Sequence, residues 1–463
     1  MTIGKLSDKV LLKIFCHYLK TSPRLWPRLV HICRNWRRIV FASQRPLHLR
    51  LFCTNGTPVL KALDYWPALP IVVDFEGSPL LGRLALKDEE DNITAALKQS
   101  SRVTAIRLTD SGSLLNKLSA IEGPFSKLEE LVLLTRYLPL IPPSIFRWGP
   151  RLRRLHLTTT IFPELLQRIS SSEHLVDIQL HLHKISPTDG FSPEAFANAL
   201  SGTPRLRSLS LHFPFTTIDI FPLPPSGERV ILPALTHLKL RGITGYLEDL
   251  VARIDAPRLG DIEITFSNNL FVCDVPKLGE FIDRIKTQKL HRQANLLFSK
   301  RAITLSLTQP GTPTCFKLRV FVCKALRLRS FFMAQICGHL SAFLVHVEDL
   351  RVSMTRSSSG QDGSGHAQWL GLIRRFRGAK RLHVAGDRSI NVVRALQLSV
   401  ERDGIVPPAL HKLCIRELEP RYAPLEEAVV PFMHSWWLSG RFIAVEYERL
   451  WINELRGTGT THA

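Results

Sequence analysis

Apolar residues recur along most of this chain in the phrase Leu-x-x-Leu-x-Leu. Its last three positions set two aliphatic side chains on one face of an extended strand, because side chains alternate along a strand. The series runs Val103-Ile106-Leu108, Leu128-Leu131-Leu133, Leu152-Leu155-Leu157, Leu175-Ile178-Leu180, Leu206-Leu209-Leu211, Leu235-Leu238-Leu240 and Leu259-Ile262-Ile264. Successive starts lie 25, 24, 23, 31, 29 and 24 residues apart. Fainter members follow at Ile303-Leu305-Leu307, Val347-Leu350-Val352, Leu382-Val384 and Leu410-Leu413-Ile415. Several units open with proline before the leucine, as in Pro150-Arg151-Leu152, Pro204-Arg205-Leu206, Pro233-Ala234-Leu235, Pro257-Arg258-Leu259 and Pro408-Ala409-Leu410. Proline stops what precedes it and sets an extended entry to the strand. Helical stretches such as residues 162–170 and 193–200 lie between strands. A strand–turn–helix unit of this size cannot bury its apolar face alone, so the pattern predicts a curved α/β solenoid of parallel strands with connecting helices. Leu47-His48-Leu49-Arg50-Leu51 and Ile71-Val72-Val73-Asp74-Phe75 are expected to supply its first strands.

Ahead of the strands the period changes to that of helices. Ser7 can cap a helix with Asp8 in its first turn, and Val10/Ile14 with Leu11/Phe15/Tyr18 make a broad apolar flank. Pro23 and Pro27 break the chain, and Pro27 suits the first turn of a second helix. There Leu25, Leu29, Ile32, Trp36 and Ile39 form one stripe and Trp26, Val30 and Cys33 a neighbouring one. Two stripes on so short a segment are more apolar surface than one packing partner covers. The expected organisation is a helical module over residues 1–46, linking strands and a helix over 47–100, the solenoid over 101–420, and a cap with a disordered tail over 421–463. Residues 357–365 read as a flexible loop tip.

The residues Leu6-Ser7, Leu11-Leu12-Lys13-Ile14-Phe15 and Ile32-Cys33-Arg34-Asn35-Trp36-Arg37 resemble the F-box, the adaptor-binding helical module of Skp–cullin–F-box ubiquitin ligases. Ser7 stands where the family pattern has proline. With Arg45-Pro46-Leu47 and Trp66-Pro67-Ala68-Leu69-Pro70, the stretch looks like the large F-box families of mushroom-forming fungi. The repeats behind it are similar to leucine-rich repeats, with a period of about 20–29 residues, although most lack the consensus Asn after the strand. The resemblance implies a non-catalytic substrate-recognition subunit that docks a Skp-like adaptor, and through it a cullin, and holds an unknown target protein on the solenoid. Adaptor contacts are then expected from Leu6, Leu11, Leu12, Ile14, Phe15, Leu29, Val30, Cys33 and Trp36. A leucine-rich-repeat interaction scaffold outside any ligase, with the helices as its cap, and a basic nucleic-acid-binding protein are the alternatives.

Charge sharpens the choice. The net value is +21, and the first fifty residues hold eleven Lys or Arg against Asp8 alone, a local +10. Basic helices suit an acidic partner through steering and rim contacts, and nucleic acid as well. Outward strand positions nevertheless mix signs: Glu130 and Val132, Arg154 and His156, Asp177 and Gln179, His237 and Lys239, Asp261 and Glu263, Asp349 and Arg351. That mixture argues against a nucleic-acid groove and for a protein-binding face, with Arg154, His156, Lys239, Glu263 and Arg351 as candidate target contacts.

Chemistry-bearing motifs are missing. No phosphate-binding Gly-rich loop, no Gly-x-Ser-x-Gly and no His-Glu-x-x-His occurs, so no catalytic residue, metal site or cofactor is expected. His181-Leu182-His183 pairs two imidazoles without a third ligand nearby. Eight scattered cysteines without a Cys-x-x-Cys pair favour reduced thiols, hence a cytosolic or nuclear protein. No run reaches membrane-spanning length, and Lys13 interrupts the early apolar stretch, against a secretory signal. Trp436-Trp437 reads as an interaction anchor or as the cap of the last repeat.

Overall fold

A computed structural model describes residues 6–76, 87–109, 121, 124–134, 149–159, 163–182, 191–213, 229–268, 274–285, 291–299, 302–309, 315–322, 329–354, 366–386, 389–402, 409–417 and 423–449. The chain forms two compact units, residues 1–160 with 167–183, and 161–166 with 184–463. The division falls inside the region read from sequence as one solenoid.

In the first unit, helices α1 (Asp8–Thr21), α2 (Trp26–Val30) and α3 (Arg34–Ala42) precede the strands. The second predicted helix is therefore two. Cys33 is extended, with φ −157° and ψ 168°, and its Sγ accepts the Trp36 N–H, so the chain restarts a helix there instead of continuing one. Ser7 sits at the α1 N-cap position but its hydroxyl caps nothing; its carbonyl receives Val10 and Leu11, and Asp8 instead accepts from Arg38 at 2.6 Å, tying α1 to α3. Trp26 is buried, meets Phe41 and Trp66 edge-on, and donates its indole N–H to the Arg50 carbonyl at 2.7 Å. Leu47, Leu49 and Leu69 belong to the same apolar cluster as Leu11, Phe15 and Leu19, so the boundary expected at residue 46 runs through a continuous core.

Six parallel strands follow in chain order: β1 (Leu51–Cys53), β2 (Ile71–Glu76), β3 (Val103–Thr109), β4 (Glu130–Leu134), β5 (Arg154–Thr159) and β6 (Asp177–Leu182). Helices α4 (Val59–Tyr65) and α5 (Lys87–Lys98) connect the first three. The leucine phrases stack in register, one row being Val73, Ile106, Leu131, Leu155 and Ile178, all fully buried. The ladder begins before each strand, since Glu129 N–H bonds the Thr104 carbonyl, Arg153 bonds Glu129, and Val176 bonds Arg153.

The second unit contains β7 (Ser208–His212), β8 (Val230–Ile231), β9 (His237–Gly242), β10 (Ile254–Asp255), β11 (Asp261–Asn268), β12 (Gln293–Phe298), β13 (Ala302–Thr308), β14 (Cys315–Val322), β15 (Asp349–Met354), β16 (Arg381–Ala385), β17 (Lys412–Glu417) and β18 (Ala444–Arg449). Its main sheet has the order β7-β9-β11-β14-β13-β12-β15-β16-β17-β18, and β8 pairs with β10 separately. The expected parallel run is interrupted. β12 is laid down away from β11, then β13 returns antiparallel and β14 runs back alongside β11. Of these three only β13 was legible as a repeat member, and it is the one that runs the wrong way. Its Ile303, Leu305 and Leu307 still face the core, so the buried row Leu211, Leu240, Ile264, Leu318, Leu305, Leu296, Val352, Val384 and Ile415 crosses the reversal unbroken. The helix Ala423–Leu438 leads into β18, which pairs with β17 in that register, so the repeats extend to Arg449 rather than ending at 420. The expected tail beyond residue 456 and the loop at 357–365 lie outside the described residues.

The helix Thr244–Ala252 is buried almost throughout and yet carries Glu248 and Asp249. Asp249 accepts from Arg253 at 3.4 Å and Lys277 Nζ at 3.2 Å. Glu248 accepts the backbone N–H groups of Lys277 and Leu278 at 2.9 and 3.0 Å, capping the helix Pro276–Arg284. Burial nevertheless outweighs those bonds and raises the Glu248 carboxyl from 4.5 to about 7. The folded state thus keeps a proton that the unfolded chain releases above 4.5. We expect stability relative to Glu248→Gln to be full below that pH, to fall by up to roughly 3 kcal/mol as pH rises toward 7, and to level off above it, read from denaturation midpoints of both proteins across the range.

Candidate interaction surfaces

The two apolar stripes of α1 part ways. Leu11, Phe15 and Leu19 are buried in the module's core, whereas Val10 and Ile14 are 42% and 48% exposed, one turn apart on the outer face. Leu6, 38% exposed, continues that line ahead of the cap. Lys9, Lys13 and His17 surround it and are themselves exposed. Beyond α2, Ile32 is 59% exposed and Cys33 is also open to solvent.

This placement corrects the residue set read from sequence. Leu11, Phe15, Leu29 and Val30 are buried against their own chain and offer nothing to a partner. Leu12 and Trp36 pack partly against the same core, Trp36 lying 4.7 Å from the Phe15 ring. Leu6, Ile14 and Cys33 remain available, and Val10 and Ile32 join them. The signal that separates the stripes was present: the inner one runs on to Leu19, while the outer one ends after one turn at His17.

The polar strand faces hold the other candidate residues, and most bond sideways to neighbouring strands. Arg24 pairs with Asp74; Arg107 approaches Asp74 at 3.7 Å and grips Glu130 through two bonds of 2.9 Å; Arg154 reaches Glu130 at 3.5 Å. Carboxylates thus alternate with guanidiniums from the turn before α2 across β2 to β5. The Arg107 guanidinium holds the Glu130 carboxyl below its ordinary value. His156 Nε2 lies 2.8 Å from Asp177. In the second unit Lys239 and Lys317 bond Glu263 from either side at 3.0 and 3.1 Å, and Arg381 grips Asp349. Arg351 is exposed. The alternating signs that suggested a protein-binding face therefore serve first as cross-strand ties between repeats.

The tryptophan pair is split. Trp436 is buried against Phe432, while Trp437 is 61% exposed beside exposed Val430 and Leu438 on the helix Ala423–Leu438. His181 lies exposed on β6, and His183 lies outside the described residues. No helix among the described residues is long and apolar enough to cross a membrane.

Substitution should read the two faces of α1 apart. Leu11→Ala is expected to lower stability by about 2–5 kcal/mol, whereas Val10→Ala and Ile14→Ala should each stay within about 0.5 kcal/mol, measured by denaturant titration.

No known family profile matches the chain, and no curated protein matches it. Among solved structures it is similar to the leucine-rich repeat-containing protein LegL7 from Legionella pneumophila, with 11% identity and a TM-score of 0.29 over 83% of this chain and 97% of that one. A likeness this faint carries no argument, so the leucine-rich-repeat-like fold rests on strand order, register and the recurring leucines.

Proposed function

We propose that this chain is a non-catalytic adaptor: its N-terminal helices dock a Skp-like protein and thereby a cullin, and its repeats hold a target protein. The observation that carries the first half is the outer stripe of α1. Leu6, Val10 and Ile14 stay exposed although the inner stripe already has a full core, and they sit in the part of the sequence where eleven cations face one carboxylate. An acidic protein with an apolar groove complements that combination: the stripe supplies burial and the cations supply steering. The F-box resemblance names the same partner. For the second half, repeat arrays present long polar strand faces suited to protein recognition. Ubiquitin transfer would then follow from proximity, a target lysine held at high effective concentration near a conjugating enzyme, and would proceed in the cytosol or nucleus.

A second reading has its own observation. Leu47, Leu49 and Leu69 share the core of α1 to α3, as they would if these helices were simply the end cap of an interaction scaffold outside any ligase. Capture experiments separate the two. The wild-type chain should co-purify with a Skp-like adaptor and a cullin, and Val10→Asp with Ile14→Asp should weaken adaptor binding by at least about thirtyfold while the thermal melt stays unchanged. Unaltered capture by that folded double variant would sink the adaptor reading. Leu11→Asp is unsuitable for this purpose, because it would unfold the module.

A further inference from the structure

The polar face of the second unit's sheet carries in-register rows that differ in charge. Near the strand starts His237 faces Asp261, and Asp349 faces Arg381 and, beyond it, Lys412. The next row holds Lys239, Glu263 and Lys317. The third row, toward the strand ends, carries His212, Arg241, Arg319 and Arg416 as its ionisable members from β7 to β17. Its other positions are Thr265, Thr304, Leu297, Ser353 and Ala385. Signs are mixed at one edge of the face, and at the other no carboxylate interrupts the row over those strands.

Within this row Arg241 and Arg319 flank Thr265 of β11. Both guanidiniums lie against the ring of Phe321, at 5.4 and 4.7 Å from its centre. Thr265 and Ser267 beneath are buried. The ring therefore holds the two cations in place, two strand widths or about 10 Å apart. One row back, Lys239 and Lys317 repeat that separation around Glu263. Four cations stand on a grid of about 10 by 7 Å with one carboxylate between two of them, a net of +3. Alternate side chains of an extended peptide are spaced by the same ~7 Å, since they follow the rise of a strand.

We propose that this part of the sheet, spanning β9, β11 and β14, binds an extended acidic segment of a partner protein. Its carboxylates, two residues apart, would meet Lys239 and Arg241 or Lys317 and Arg319. A nucleic-acid backbone fits less well, because its phosphates form a continuous line of charge that Glu263, and Asp261 behind it, would repel. Lys239 and Lys317, 62% and 42% exposed, attract the segment, while the guanidiniums, already desolvated on one side by Phe321, give it geometry. The inference rests on reading the repeats as the target-binding part and is independent of adaptor docking.

The test uses the full chain and a fluorescein-labelled peptide with Glu at every second position, followed by anisotropy. Saturable binding is expected, absent for the matching Gln peptide and weakened roughly tenfold by Arg241→Gln with Arg319→Gln. Because those arginines are partly buried, Lys239→Gln with Lys317→Gln provides a second variant at exposed positions and should weaken binding severalfold with an unchanged melt. Val10→Asp with Ile14→Asp should leave peptide affinity as it is, so loss of adaptor capture and loss of peptide binding report on separate proposals. No saturable binding, equal binding by both substituted forms, or tighter binding of a single-stranded oligonucleotide of equal charge would each overturn it.

Discussion

Each repeat hands its neighbour two aliphatic side chains at the same height, and parallel pairing preserves that height from strand to strand. Every other property of the molecule depends on this alignment. One residue of slip would turn leucines toward solvent and lysines toward the helices. The cost of such a slip, several buried aliphatic groups per strand at roughly 1.5–3 kcal/mol each, far exceeds what any of the cross-strand ion pairs contributes. The polar face inherits its register from the apolar one, and the charge rows are a by-product of leucine stacking.

The same hierarchy explains how the chain tolerates a reversed strand. β13 runs against its neighbours, yet alternation keeps Ile303, Leu305 and Leu307 on the core side. Direction matters less than facing. On the polar side, the rows pass through Thr304 and Ser306 without meeting a charge, and the cations of β9 and β14 sit together only because β14 has come back to lie beside β11. A strictly sequential stack would have placed β12 there, with Asn295 and Leu297 in the positions that Lys317 and Arg319 occupy.

Periodicity made the strands legible, down to the buried positions of seven consecutive units. It could not supply strand order, because a parallel and an antiparallel strand share one alternation and differ only in what lies beside them. Nor could it divide the stripes of α1. Val10 and Leu11 are equally apolar, and which of them points inward was decided by Trp26, Leu47 and Leu69, residues that reach α1 only through the fold. The mixed signs on the strand face were readable one residue at a time. Their sorting into rows was not, since rows join residues from strands far apart in the chain. Glu248 escaped notice for the same reason: nothing around it in sequence says that its helix will be buried on nearly all sides.

The inserted meander also changes how the array can assemble. Elsewhere a repeat pairs with the one just made, as Leu238 does with Ile262, 24 positions on. Ile262 instead waits for Phe316, 54 positions on, and Ala294 for Leu350, 56 positions on. The added loop-closure entropy is small, about 0.6 kcal/mol per doubling of length. The kinetic effect is larger, because folding rates fall as contacts become less local. Propagation of order along the array, quick wherever neighbours follow one another, must pause at β11 until a hairpin built elsewhere arrives, so the segment from β11 to β15 acts as a joint between two stretches that can each fold processively.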